Sequence, residues 1–480
     1  MKLAKQQQMI IGNSRLNAEA GETLETIDPA TGKVLAEFPR GREADVDAAV
    51  KAAQSAQCDW VRRTPVERSR TLLEIARAVE ANSEELAWIE SIDTGKPITQ
   101  ARADVRTAAR YFEFYGGLAD KLGGITVPLG DDYVDYTTRE PVGVSGQIVP
   151  WNYPLQIGAR GIAPALAAGN SVVVKPAEGA PLSLLRLAEI AQDAGLAPGV
   201  FNVVTGLGSE AGAALAGHPG IDQVTFTGSV QAGTLVMQAA AKNINPVTLE
   251  LGGKCPNLVF EDADLDAAVP VLVSALIQNA GQTCSAGTRL IVARDLYEPL
   301  IERLRSRLEQ LKLGPGVDDP DMGPLISAPQ LKKVAEQVQE ARAGGATVFG
   351  GEIAPESEQH GGNFYLPTII SNVNPSAPVA REELFGPVLV VLPFEDDEEA
   401  IRLANGTDYG LVCGVWTNDV KRAHRVAREL HAGQVYINGY GAAGGVEIPF
   451  GGQKKSGFGR EKGIEGLNSY LQTKNVCVRL

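Results

Sequence analysis

Histidine and cysteine are scarce. The 480 residues include four histidines (His218, His360, His424, His431) and five cysteines (Cys58, Cys255, Cys284, Cys413, Cys477). No two histidines share the HExxH spacing and no CxxC occurs, so no catalytic metal is expected. An odd number of widely spaced cysteines excludes a disulfide framework and a zinc ribbon, and favours a reducing, cytoplasmic compartment. Long apolar runs are also missing. The best candidate, Pro270-Val-Leu-Val-Ser-Ala-Leu-Ile277, falls well short of the roughly 20 residues a membrane helix needs. It follows the acidic stretch 261–266 and reads as a buried helix. Residues 1–8 carry no apolar core of signal-peptide length. Positive charge is in deficit: 44 Lys+Arg against 58 Asp+Glu leave a net −14. Phosphate backbones would be repelled, so neither nucleic acid nor a membrane is expected as a partner.

The remaining composition is that of a globular chain, with 44% hydrophobic and 21% charged residues. The length predicts two to four domains. Apolar spacing predicts helices over 45–58, 66–81, 83–94 and 99–115. Thr64-Pro65 reads as an N-cap with proline at the first helical position, and Ser83 as the cap of the third helix. Near Gly123 the pattern changes to two short strands, 125–128 and 133–139, read as a possible hairpin. Strands and helices then alternate. Strands are expected at 142–148, 171–175, 201–205 and 223–226, and helices at 154–168, 181–194, 210–216 and 230–241. Buried β-branched strands in this rhythm predict a parallel sheet wound by helices, an α/β fold. A second α/β unit begins near Val247, with strands at 247–251, 257–260 and 289–293. Its helices are expected at 263–279, 296–313, 329–343 and 397–404. A final strand is expected over 470–478.

Five segments carry chemical meaning. Gly206-Leu-Gly208-Ser-Glu-Ala-Gly212 follows a strand and opens a helix, as a dinucleotide site does, although its spacing is GxGxxxG. A tight turn explains these glycines equally well. Phe226-Thr-Gly-Ser229 ends a strand and starts a helix. Gly228 permits close backbone approach and the free N–H groups suit an anion; an ordinary Ser-capped turn is the alternative. In Gly281-Gln-Thr-Cys284-Ser-Ala-Gly287, small polar neighbours place Cys284 on an accessible loop, whereas the other four cysteines read as buried. Glu250, at the apolar exit of a strand before Leu251-Gly-Gly-Lys254, should be desolvated and its pKa raised towards a general-base range, unless it pairs with Lys254. In Val149-Pro-Trp-Asn152-Tyr-Pro154, two prolines fix the backbone around an asparagine whose amide suits an oxyanion or merely a helix turn.

Seven motifs stand in order along essentially the whole chain: Pro150-Trp-Asn-Tyr-Pro-Leu155, Val174-Lys-Pro-Ala-Glu178, Phe226-Thr-Gly-Ser229, Glu250-Leu-Gly-Gly-Lys254, Gly281-Gln-Thr-Cys284, Glu383-Leu-Phe385-Gly-Pro-Val388 and Pro449-Phe-Gly-Gly452. The last continues as Lys454-Lys-Ser-Gly-Phe-Gly-Arg-Glu461. The series resembles the non-phosphorylating, NAD(P)-dependent aldehyde dehydrogenases. That resemblance implies a Rossmann-like cofactor domain (1–122 and 141–249), an α/β catalytic domain (250–455) and a small β oligomerisation arm (123–140 and 471–480). It further implies a homodimer or homotetramer with the active site in a cleft between the large domains. By residue matching, Cys284 would attack the aldehyde, Asn152 and the Cys284 N–H would hold the oxyanion, and Glu250 would activate water. Trp151, Lys175, Glu178, Gly228, Ser229, Glu383 and Phe385 would bind the cofactor, with Gly228 and Ser229 rather than Gly206 and Gly208 as the phosphate cradle. Glu461 matches a glutamate near the catalytic pair that could relay protons. A carboxylate at Glu178 beside the adenine ribose would repel a 2′-phosphate, so NAD is expected in preference to NADP.

The substrate is less sharply marked. Relatives acting on cationic amino-aldehydes often place an aromatic ring where this chain has Arg160. An arginine at the mouth would repel a quaternary ammonium and favour a carboxylate, a phenolic oxygen or an aromatic face; it could instead point away and pair with a surface carboxylate. Between Asn438 and Pro449 the chain has Gly and Ala where many relatives have a bulky aromatic, implying a roomier tunnel, with Tyr153 and Tyr440 as ring contacts. An aromatic or hydrophobic aldehyde is the expected substrate, with an aliphatic semialdehyde or amino-aldehyde as the alternative. Retention of Cys284, Glu250 and Asn152 argues against a non-catalytic relative, and Glu250 argues against CoA-acylating chemistry.

Overall fold

The computed structural model describes residues 3–441 and 445–480. Two large sheets organise the chain, and the α/β expectation holds. The first has eight strands in the order Ser14–Leu16, Met9–Ile11, Phe201–Val203, Ser171–Pro176, Val144–Val149, Gln223–Thr227, Val247–Glu250 and Gly457–Phe458. From Phe201–Val203 to Val247–Glu250 the pairing is parallel. Both faces are buried, because side chains alternate across a strand. Val172 and Val174 enter one core with Leu72, Val105 and Ile162. Val173, between them, enters the opposite core with Val46, Leu215 and Val236.

The second sheet has seven strands in the order Thr347–Phe349, Thr368–Ser371, Val388–Phe394, Arg289–Ala293, Pro256–Val259, Val412–Trp416 and Gln434–Ile437. Only the Thr347–Phe349 edge pairs antiparallel. Leu290 and Val292 pack under the helices Leu265–Ile277 and Tyr297–Leu308, while Ile291 and Ala293 face the other layer. Apart from these sheets, Tyr133–Pro141 and Leu471–Arg479 form an antiparallel two-stranded ribbon.

The expected helices form close to their predicted bounds, and local chemistry explains why. At Pro65–Ala81, Thr64 Oγ1 accepts from the Glu67 N–H (3.3 Å) and Glu67 accepts from the Thr64 N–H (2.7 Å), a reciprocal capping box. Differences occur where elements are too short for periodicity to register. Strands at Met9–Ile11, Ser14–Leu16, Thr23–Ile27 and Val34–Pro39 arise ahead of the first expected helix, in a stretch for which the sequence pattern predicts no element. Asn82, not Ser83, occupies the cap of the third helix, and its side chain makes no cap bond. The helix expected at 210–216 starts as a π-turn over Gly208–Gly212. The hairpin expected at 125–139 reduces to one bridge, Thr126–Tyr136; residues 133–141 pair with the tail instead, an association no local turn signal reveals. Cys58 and Cys477 are exposed, contrary to expectation, whereas Cys255 and Cys413 are buried. Cys477 lies on the ribbon, which has no covering layer.

Lys96 is a buried structural cation. Its ammonium bonds Glu90 (3.1 Å) and Asp104 (2.7 Å), all three side chains being almost wholly buried, and sits 4.1 Å from the centroid of the Tyr153 ring. Burial, only partly offset by Lys96, pushes Asp104 up to about 6. Removing the cation would strand two carboxyls in a dry site. Lys96→Met is expected to cost about 3–5 kcal/mol of stability, read as a lowered midpoint in chemical denaturation of the purified variant.

Candidate active site

The carboxyl ends of four adjacent parallel strands gather most of the expected site residues, the position where open α/β sheets place ligands. Strand Val144–Val149 runs into Trp151 and Asn152. Strand Ser171–Pro176 carries Lys175 and leads to Glu178. Strand Gln223–Thr227 leads to Gly228 and Ser229, and strand Val247–Glu250 ends on Glu250 itself. Glu250 pairs in register with Thr227 on one side and Gly457 on the other. From Glu250 the chain reaches the amino end of the second sheet at Pro256. The Cys284 loop enters strand Arg289–Ala293, at the same amino edge. Glu250 and Cys284 are therefore presented by facing edges of two different sheets.

The Cys284 loop is held in an unusual shape. Asn279, Ala280 and Gly281 have φ of 48°, 54° and 72°, three successive left-handed residues, only one of them glycine. Buried hydrogen bonds fix this turn. Asn279 Nδ2 donates to the Asn152 carbonyl (2.9 Å) and Asn152 Nδ2 donates to the Gln282 carbonyl (3.0 Å). Gln282 Nε2 donates to the Asn279 carbonyl, and its Oε1 accepts from the Ile326 N–H. Tyr153 and Thr283 share a hydroxyl hydrogen bond of 2.8 Å. The asparagine motif and the cysteine motif are thus one clasped unit. Gln282 is the part of this scaffold that pattern reading misses, because its role depends on contacts far away in sequence.

Electrostatics ties the pair together. Glu250 is buried and makes no salt bridge to Lys254, whose ammonium is also without a partner among the described residues. Burial, reinforced by the charge of Glu461, holds the Glu250 carboxyl well above its usual range. Burial and the Glu250 charge likewise push the Cys284 thiol up, favouring the thiol over the thiolate. Glu461 is raised by burial and opposed by Arg160. Arg160 corrects the expectation of a cation at the mouth: it is buried, and its guanidinium lies 2.5 Å from Glu461. Burial works against its charge and Glu461 outweighs that effect.

A cavity of about 510 Å³ opens onto Cys284, lined also by Tyr153, Arg160, Tyr440, Phe450 and Lys462. Tyr440 donates to the Ser285 carbonyl (2.8 Å), which braces the far side of the nucleophile loop. Residues 442–444, part of the stretch expected to widen the tunnel, lie outside the described residues. Lys462 was not anticipated, although it directly follows the last motif.

The cofactor residues form a separate shelf. Lys175 Nζ bonds Glu178 Oε2 at 2.8 Å; burial opposes ionisation of Glu178, and Lys175 outweighs it, holding that carboxyl below its usual range. A Cβ on Gly228 would lie 2.5 Å from the Phe226 ring, so the backbone stays bare where helix Val230–Ala241 begins. Ser229 caps that helix by accepting from the Ala232 N–H (3.2 Å). Trp151 meets Phe385 edge-on, centroids 5.3 Å apart, and Phe385 is held at φ 59°. Glu383 accepts from the Gly253 N–H (3.0 Å), and burial pushes it up to about 7. Gly206 belongs to a turn: a Cβ there would lie 2.4 Å from the Gly41 carbonyl oxygen.

Comparison with known proteins identifies the family. The model of the aldehyde dehydrogenase family matches residues 16–476. A Burkholderia cenocepacia protein assigned to the aldehyde dehydrogenases is 51% identical, with 98% of this chain and 99% of that chain covered and a TM-score of 0.95. An aldehyde dehydrogenase of Bacillus cereus, solved in complex with NAD+, is 43% identical, covering 99% and 97% of the two chains with a TM-score of 0.96. A betaine aldehyde dehydrogenase of Staphylococcus aureus, also in complex with NAD+, is 38% identical, covering 98% and 94% with a TM-score of 0.96. The chain belongs to the aldehyde dehydrogenase family.

Proposed function

We propose that this protein oxidises an aldehyde to its carboxylic acid with NAD, through a covalent intermediate on Cys284. The observation that carries the reading is that Cys284, which lines the cavity, sits on a loop clasped by Asn152 and feels the charge of Glu250 at the end of the facing strand. The Glu250 charge disfavours ionisation of the Cys284 thiol, so the two groups hold one negative charge more readily than two. The thiol proton passes to Glu250 as Cys284 Sγ bonds to the aldehyde carbon. One hydrogen of the Asn152 amide bonds Gln282, which leaves the second for the oxyanion. The Cys284 N–H donates to no backbone group among the described residues and supplies the other donor. Glu250, its proton released to solvent, then takes a proton from the water that attacks the thioester carbonyl and returns it to the departing Cys284 sulfur as the acid leaves.

The shelf residues fit a dinucleotide. The bare backbone at Gly228 and the start of helix Val230–Ala241 suit a pyrophosphate. Lys175 and Glu178 offer a donor and an acceptor to ribose hydroxyls, Glu383 serves the second ribose, and the Trp151–Phe385 pair walls the nicotinamide end. Bound there, NAD supplies the acceptor for the hydride leaving the aldehyde carbon. The substrate scaffold we favour is aromatic or hydrophobic, since Tyr153, Tyr440 and Phe450 line the cavity. A cytoplasmic homodimer or homotetramer accounts for the ribbon: an isolated two-stranded ribbon is marginal in water, and Val134, Tyr136 and Val478 are exposed on it.

Three outcomes test this reading. First, purified protein should turn over benzaldehyde or a hydroxybenzaldehyde with NAD and without CoA, followed by nicotinamide absorbance. Cys284→Ala should abolish turnover. Glu250→Gln should retain at most a burst of reduced cofactor, while steady turnover falls by about 10²–10⁴-fold. With its folded pKa raised by burial, Glu250 is protonated and inactive as a base until the pH exceeds that value. The acid limb of kcat should therefore lie above the ordinary carboxylate range and vanish in Glu250→Gln; steady turnover by Cys284→Ala would refute the mechanism. Second, Glu178→Gln removes the charge opposing a 2′-phosphate and should raise the NADP-to-NAD ratio of kcat/KM by about tenfold, equivalent to ~1.4 kcal/mol. Third, truncation after Tyr470 removes one strand of the ribbon and should reduce the molecular mass measured by light scattering to that of a smaller assembly.

A further inference from the structure

The cavity beside Cys284 holds three charged lining side chains: Asp104, Arg160 and Lys462. Two already have a partner of opposite charge. Asp104 is bonded to Lys96, which it shares with Glu90, and Arg160 forms an ion pair with Glu461. Lys462 differs, since among the described residues no carboxylate oxygen lies within salt-bridge distance of its ammonium. Its ammonium lies over the Phe450 ring, 5.0 Å from Nζ to centroid, and Arg160 lies against the same ring at 5.2 Å. The backbone holds Lys462 at φ 60°, between the paired Glu461 and the short helix Gly463–Asn468. The cavity therefore has one half-buried cation that, among the described residues, has no salt-bridge partner, while the more distant charges of Glu461 and Glu250 also act on it.

We propose that the aldehyde taken by this cavity bears a carboxylate, and that Lys462 is the specificity-determining partner of that carboxylate; the inference rests on the aldehyde-oxidising reading above. A half-buried ammonium without a counter-ion is incomplete, and an anionic substrate completes it. Burial and the adjacent Arg160 charge push Lys462 down to about 8, so it remains largely cationic at neutral pH. The same layout disfavours quaternary ammonium aldehydes, which are recognised by aromatic ring faces. Here Phe450 is already covered by Arg160 and Lys462, and Tyr153 by Lys96. Arg160 cannot take the anchoring role alone, since Glu461 holds its charge.

Two matched substrate pairs test this, each differing in the carboxylate: 4-carboxybenzaldehyde with 4-methylbenzaldehyde, and succinic semialdehyde with butanal. Wild-type protein should favour the carboxylate member of at least one pair by about tenfold or more in kcat/KM, expressed mainly in KM. Lys462→Met should bring that ratio close to one, and Lys462→Arg should keep most of it. A ratio near one in both pairs for wild-type protein overturns the inference while leaving aldehyde oxidation intact. So does a preference that survives Lys462→Met, or faster turnover of betaine aldehyde than of every carboxylate member. If Lys462→Met does not fold, the wild-type ratios decide the matter together with Lys462→Gln. Failure to oxidise any of these aldehydes overturns the oxidation reading and the inference together.

Discussion

Everything chemical in this structure hangs on the short crossing from Glu250 to Pro256, where the carboxyl edge of one sheet hands the chain to the amino edge of another. The crossing leaves no room for side chains on its glycines. A Cβ on Gly252 would lie 2.1 Å from Glu383 Oε2, and one on Gly253 would lie 2.6 Å from the Cys284 carbonyl oxygen. Gly253 also donates its N–H to Glu383. One bare strip of backbone thus touches the shelf carboxylate on one side and the nucleophile loop on the other. Close packing of this kind transmits small shifts instead of absorbing them. The distance between the two functional edges is fixed by packing and not by a hinge.

Buried charge is the second constraint, and it works as a set. Glu250 and Arg160 bear on Cys284, Glu461 bears on Glu250, and Cys284 bears on Lys462, all through a medium that screens poorly. Arg160 and Glu461 cancel one another, so the pair contributes position more than net field. Glu250 is left as a carboxyl that burial keeps protonated more readily than a solvated one. A base must accept a proton at one stage and release it at another, and a pKa raised by burial makes a carboxyl a stronger base than a solvated one. Lys462 adds a charge of the opposite sign on the cavity side, where it favours any anion that approaches.

The two winding α/β sheets were legible because their strands are buried on both faces and their helices begin at recognisable caps, as at Thr64 and Glu67. The site was legible through motifs, since Asn152, Glu250 and Cys284 each sit at a strand end or tight loop whose residue types are distinctive. Short edge strands such as Ser14–Leu16 were not, because three exposed residues carry no periodicity. Long-range pairings leave no local signal: the 133–141 strand meets the tail more than 300 residues away, and it was the family resemblance that grouped the two segments in one arm. The Arg160–Glu461 pair shows the same limit inside the site. Both residues could be singled out, but only their juxtaposition reveals that the arginine charge is spent within the protein.

Asn152 illustrates how far structure and catalysis are merged here. Its carbonyl accepts from Asn279 and its amide donates to Gln282, so it helps to hold three left-handed residues that would otherwise relax. Each non-glycine residue in that conformation costs roughly 1–2 kcal/mol, and the hydrogen bonds around it are what offset the strain. Removing the Asn152 side chain would therefore release the nucleophile loop as well as delete a donor to the oxyanion. The Gln282 carbonyl would lose a partner in a buried site, a penalty of about 1–3 kcal/mol in itself. A rate lost on substitution at Asn152 sums these effects and cannot be read as oxyanion stabilisation alone. Separating them requires a perturbation that spares the loop, and the Cys284 N–H, whose position depends on the same turn, does not provide one.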